Sequence, residues 1–267
     1  MKNNNLHALE INNVSKYYFL FDSYLELALN SLGLKKQISK KNFALKNINL
    51  KINKGEKVGI IGHNGAGKTT LLKIISGFSK ASSGVINING SLQTLMHRSF
   101  GFNDDLTGRE NIKNALIFNN ISKNSLIYKE KSIEEFVELG SFFDQPIRSY
   151  SLGMRTRLEF AAATAIEPDI LIIDEVLGAG DGYFVNKSKK RMDELIKSST
   201  LILVSHSLNH IREYCDRVIW LDNGFIRGDG KYEEIIPLYN NQMDAQTNTK
   251  SNKIKSLNGI NNNDYDT

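Results

Sequence analysis

Cysteine and proline are almost missing from this chain, which has one Cys, at position 215, and three Pro in 267 residues. A single thiol excludes an intramolecular disulfide and a Cys-rich metal site, and it suits a reducing compartment. No apolar run approaches the roughly 18 residues of a membrane-spanning helix. The opening residues, MKNNNLHALE, lack the apolar core of a secretory signal. Neither sign of charge dominates: 34 Lys and Arg stand against 29 Asp and Glu, leaving +5. That is a weak bias toward anionic partners, and an ordinary solvated basic surface gives the same number. The hydrophobic share of 40% and charged share of 24% are those of a globular chain. The length allows one large domain or two small ones with a buried core.

Short apolar runs alternate with helical periodicity. Residues 9–14 and 43–53 alternate apolar and polar, as half-buried strands do. VGIIG, DILIID and LILVSH read as fully buried strands, and VIWLDNGFI places Asn-Gly between apolar runs, a hairpin signal. Between the first two strands Leu25, Ala28, Leu29 and Leu32 fall on one helical face. Residues 105–165 read as a helical insertion, with Thr107/Glu110 and Ser132/Glu135 as capping-box pairs. From Asn240 the chain turns polar and reads as a disordered tail. The KSKKR run, Lys187–Arg191, reads as a solvated helix face. The expected architecture is α/β, with a mostly parallel sheet, an antiparallel β subdomain and a helical subdomain. One domain is expected over 8–240, interrupted by an amphipathic insertion at about 19–41, with 241–267 as the tail.

Gly62 to Thr69 reads GHNGAGKT, the P-loop pattern, after a strand and before a helix. Chance supplies this pattern in about one chain of this length per hundred, and the strand–helix context makes it rarer. Its glycines let backbone N–H groups face phosphate oxygens, so Gly62, His63, Asn64, Gly65, Ala66, Gly67, Lys68, Thr69 and Thr70 are the expected ATP contacts. Lys68 places a cation against the β- and γ-phosphates, and Thr69 offers a hydroxyl to Mg²⁺. His63 occupies a variable position of the pattern and reads as a loop residue rather than a catalyst. Asp174 closes an apolar strand, where Mg²⁺ needs a carboxylate. Glu175 follows at once and suits a water attacking the γ-phosphate. His206, after LILVSH, falls where an open α/β sheet faces its ligand.

A second helix start, YSLGMRTRLEF, offers Ser151 and Gly153 to an anion; equally, Ser151 serves only to cap that helix.

The order of these motifs resembles the ATP-binding subunits of ABC transporters. That resemblance implies a head-to-tail pair of chains, in which Ser151 and Gly153 of one copy complete the γ-phosphate pocket of the other. It places Asp181, in LGAGD, at the dimer contact, and Tyr18 against adenine, with Tyr17 as the competing choice. GFNDDLTGRENI has no glutamine at the spacing of the family's Q-loop. Arg98 or a neighbour falls there, and Gln93 is too early. With YSLGM in place of the commoner LSGGQ, these departures resemble the polysaccharide-export branch, which moves O-antigen, capsular polysaccharide or teichoic acid on lipid carriers. The resemblance implies an ATPase using ATP and Mg²⁺, peripheral on the cytoplasmic side of the plasma membrane, with multi-span permease subunits and no nucleic acid. The competing expectation is an ABC-type protein acting on nucleic acid or ribosomes, which would carry a long coiled-coil insertion or tandem cassettes.

Overall fold

A computed structural model of the chain describes residues 6–20, 40–95, 101–119, 121–174 and 182–245. Strands β1 (His7–Leu20), β2 (Lys40–Asn53), β3 (Lys57–Ile61), β4 (Ser83–Ile88) and β5 (Leu92–Leu95) occupy the first part. Helix α1 (Lys68–Ile75) follows β3. The helical insertion holds α2 (Gly108–Phe118), α3 (Lys123–Val137), two 3₁₀ turns and α4 (Leu152–Ala163). Then come β6 (Ile170–Asp174), α5 (Gly182–Ser198), β7 (Thr200–Val204), α6 (Leu208–Tyr214), β8 (Arg217–Asp222) and β9 (Phe225–Lys231). A last helix, α7, covers 232–245.

Two sheets form. One is antiparallel, in the order β2-β1-β4. The other runs β5-β6-β7-β3-β8-β9, parallel except for the β8–β9 hairpin. Asn223 and Gly224 turn that hairpin with φ of 48° and 82°, which is why Asn-Gly stands there.

The buried strands explain the fold. Ile60, Ile170, Ile172, Ile202, Val204, Ile219 and Leu221 face one core, which they share with α1 and the antiparallel sheet. Their strand neighbours Ile61, Leu171, Ile173, Leu201, Leu203, Val218 and Trp220 face the other, under α5, α6 and α7. Each buried aliphatic side chain is worth about 1.5–3 kcal/mol. A one-residue slip would exchange the two faces, so the register is strongly fixed. Cys215 lies in the second core, and burial, followed by the charge of Asp216, pushes its thiol up to about 12.

A third core holds the insertion together around Ile112, Leu116, Ile133, Phe143 and Leu158. Phe136 of α3 belongs partly to this core and partly to the second. Its ring lies 6.1 Å from Phe160 of α4 and 5.3 Å from Phe184 of α5, joining the helical unit to the sheet unit.

Several expectations need correction. Thr107 and Glu110 do form a capping box at α2, but Ser132 and Glu135 do not. Ser132 sits in the interior of α3, whose N-cap is Ser122. The first two strands are 14 residues each, longer than the alternating segments suggested, and pair out to Leu20 and Lys40. The expected amphipathic helix lies in 21–39, outside the described residues. The boundary at Asn240 falls inside α7, which continues to 245. Lys187 and Arg191 are not a bare solvated face: both cations lie over the Phe136 ring, at 5.0 and 4.3 Å from its centroid.

Candidate active site

Parallel strands bring their carboxyl ends to one edge, and helices begin there. At this edge β3 passes into the P-loop, β6 ends at Asp174, and β7 leads into Ser205-His206. The result is a cleft of about 260 Å³ lined by Asn64, Gly65, Gly67, Lys68, Thr69, Thr70, Asp174 and His206, with Ala44 and Val204. Six separately expected residues of the loop thus converge with Asp174 and His206. Gly62, His63 and Ala66 shape the loop without lining the cleft.

The glycines are required by the backbone. Gly67 is the N-cap of α1 at φ 109°, and a Cβ there would lie 2.6 Å from the Ala44 carbonyl oxygen. At Gly62 (φ 154°) a Cβ would lie 2.3 Å from the Leu221 carbonyl oxygen. With glycine as N-cap, no side chain caps the start of α1. Its N–H groups and positive dipole end therefore stay directed at an incoming anion. Lys68, 7% exposed, donates from Nζ to the carbonyls of Gly62 (2.6 Å) and His63 (3.1 Å), which aims it across the loop. Thr69 and Asp174 supply hydroxyl and carboxylate oxygens, the hard donors that Mg²⁺ prefers beside phosphate. His206 is exposed, two residues beyond the end of β7 rather than on the strand.

The other expected residues are elsewhere. Ser151 is the N-cap of α4, and its hydroxyl accepts from the Met154 N–H at 3.2 Å. Leu152 is 83% exposed, and a Cβ on Gly153 would meet nothing nearer than Ser151 Oγ at 3.9 Å. Neither Ser151 nor Gly153 lines the cleft. Tyr18 stands on β1 under the Lys16 ammonium, and Tyr17 packs on Phe19 and Phe43; neither lines the cleft. Glu175, Asp181 and Arg98 lie outside the described residues.

The helical unit beneath Ser151 is held by charge. Arg109 bonds Asp144 at 2.6 Å, Glu134 at 2.7 Å and Glu130 at 2.9 Å. These bonds raise the guanidinium further and hold the Asp144 carboxyl below its usual range. Asp222, which no motif of the sequence singles out, sits behind the P-loop and contacts His63. Its signal was strand order: Ile61 pairs with Trp220, so the residues after β3 lie beside the end of β8.

A family profile described as ABC transporter matches residues 45–178. The chain belongs to the ABC transporter ATP-binding family. The O-antigen export system ATP-binding protein RfbB of Myxococcus xanthus is 45% identical over 197 residues, covering 73% of this chain and 45% of that protein. The teichoic acids export ATP-binding protein TagH of Lactococcus lactis is 43% identical over 213 residues, covering 79% of this chain and 46% of that one. The chain thus spans about half the length of these two relatives. The RfbB of Klebsiella pneumoniae is 40% identical over 205 residues and is covered over 83% of its length. Among solved structures, an ATP-binding subunit of an ABC transporter superposes with TM-score 0.67 at 23% identity, covering 87% of this chain and 93% of that one. A dimeric bacterial ABC transporter cassette superposes at 0.63 with 25% identity, covering 84% and 98%. The cassette fold is therefore an ABC ATPase fold, with the mixed sheet, antiparallel sheet and helical unit expected from the sequence. No helix among the described residues is long and apolar enough to cross a membrane.

Proposed function

We propose that this chain is the ATP-hydrolysing subunit of an exporter that moves a lipid-linked polysaccharide, of O-antigen, capsule or teichoic acid type, across the cytoplasmic membrane. It would bind peripherally at the cytoplasmic face, as two copies beneath multi-span partner subunits. The observation that carries the chemistry is the convergence of Lys68, Thr69, Asp174 and His206 on one cleft at the start of α1. The names of the relatives carry the choice of cargo class.

In this reading Gly62–Thr70 cradle the triphosphate, and Lys68 neutralises the oxygens that gain charge in the transition state. Mg²⁺, held by Thr69 and Asp174, would supply further charge neutralisation at the phosphates. Glu175 takes the proton of the attacking water, help typically worth about 10²–10⁴ in rate. His206 hydrogen-bonds the γ-phosphate. Tyr18 stacks on the adenine. Ser151 and Gly153 act on the nucleotide of the second copy, with Asp181 at the contact between copies. The exposed start of α4, which adds nothing to its own chain's cleft, supports that assignment.

The test is Glu175→Gln in the assembled complex. ATP should bind and hold the two copies together while turnover falls at least about a hundredfold, the low end of general-base help. Wild-type turnover in that variant would remove Glu175 from the chemistry. Loss of export of the lipid-linked glycan, with the membrane subunits intact, would support the cargo; undiminished export would refute it.

A further inference from the structure

Helix α4, whose start carries Ser151, is gripped at two points further along its length. Three rings meet beside it: Phe136 of α3, Phe160 of α4 and Phe184 of α5. Their centroids lie 5.3 to 6.1 Å apart, and Phe160 and Phe184 are buried. Arg157 of α4 lays its guanidinium over the Phe184 ring, 5.1 Å from the centroid. Arg191 of α5 returns the contact. Its Nε and Nη2 donate to the Thr164 carbonyl oxygen at 3.2 and 3.1 Å, and its guanidinium lies 4.3 Å from the Phe136 centroid. Thr164 is the C-cap of α4, where the last carbonyls and the negative dipole end favour a cation.

A rod held at one point pivots, whereas one held at two points has a fixed direction. About 9 Å of helix separates Ser151 from Arg157, and about 10 Å more reaches Thr164. Both arginine contacts tie α4 to α5. A guanidinium suits the task, because it is flat enough to stack on a ring and still has N–H groups to donate. We infer that Arg157 and Arg191 are positioning residues, which fix α4 on α5 and so fix where Ser151 is presented to a second copy. Lys129 of α3 donates to the Ala165 carbonyl oxygen at 2.8 Å and ties the same end of α4 to the helical unit. Neither arginine lines the nucleotide cleft, so their contacts bear on what α4 presents rather than on the chain's own nucleotide.

The inference rests on Ser151 completing the pocket of a second copy. The experiment is a double-mutant cycle on ATP hydrolysis by the assembled transporter, with Arg157→Met, Ser151→Ala and the two combined. Methionine keeps an apolar stem and removes the cation from the ring. The loosened helix loses one such contact, so kcat should fall about two- to thirtyfold, with KM for ATP and binding by the isolated chain unchanged. A residue that acts through Ser151 has less to lose once that hydroxyl is gone, so the two effects should fall well short of multiplying. Effects that multiply in full overturn the inference, because a general loss of stability would give them. An unchanged kcat in Arg157→Met overturns it too, as does a raised KM with kcat intact. Arg191→Met passes through the same cycle, so the test stands if one of the two variants fails to fold. Wild-type kcat in Ser151→Ala alone is a different failure: it would remove the shared pocket itself, and the inference with it, whatever Arg157 does.

Discussion

Two helices of this molecule begin with an invitation to an anion, and their surroundings differ. At the start of α1 the cap is a glycine, the first helical residue is a buried lysine, and strand ends bring Asp174 and His206 to the same cleft. At the start of α4 the serine hydroxyl is engaged by the Met154 N–H, Leu152 stands in solvent, and a Cβ on Gly153 would meet only Ser151 Oγ, at 3.9 Å. A helix dipole and a few N–H groups are common to both. What sets the first apart is the convergence of chemistry from two other segments. The second has only its own turn, so a pocket that uses it must borrow the rest from another molecule.

Breaking the first helix start should have the largest effect. Lys68→Ala should abolish ATP hydrolysis and weaken nucleotide binding beyond detection in a fluorescence titration; undiminished binding would count against the loop as the phosphate site. Breaking the second should separate binding from turnover. If Ser151 completes the pocket of a second copy, Ser151→Ala removes one charge-assisted hydrogen bond, so kcat should fall about 10- to 100-fold while the isolated chain binds ATP as before. Impaired binding by the isolated chain would place Ser151 on its own nucleotide. Mixtures of the two variants sharpen the contrast: they should recover activity through the one pocket with both halves intact, and fully inactive mixtures would count against sharing.

The smallest effect concerns how the second helix start is carried. Arg109→Met removes the ion pairs under the helical unit, and thermal unfolding should move down by a few degrees at neutral pH. The Asp144 carboxyl is depressed in the folded state by Arg109. Its contribution is therefore present above the ordinary carboxylate range and lost as pH falls through the lower folded value. Wild type and variant should converge in strong acid. A gap in melting temperature that persists there would mean that Arg109 acts through packing on Phe143, 4.7 Å from its guanidinium, rather than through charge.

The parts legible in the sequence were those written in consecutive residues. GHNGAGKT, DILIID and the Asn223-Gly224 turn each contain their whole physical cause: a glycine loop before a helix, an apolar run, a pair tolerant of positive φ. Ser132 misled because Ser-x-x-Glu inside a helix looks like a cap, whereas its exposed side chain there merely faces solvent. KSKKR is not legible as an aromatic contact because charge in a sequence reads as solvation, although Lys and Arg carry apolar stems and cations that settle on aromatic rings. Asp222 was invisible for a different reason. Its partner His63 is 159 residues away and arrives only because β3 lies between β7 and β8. Strand order is a property of the assembled sheet, and no local stretch states it.

The lone thiol has a practical consequence. With the Cys215 thiol pushed up to about 12 and packed between β3 and α6, little thiolate exists near neutrality to meet an alkylating reagent. Labelling must wait until that seam parts, so the kinetics of modification read how often the nucleotide-bearing half comes open, with no engineered probe required.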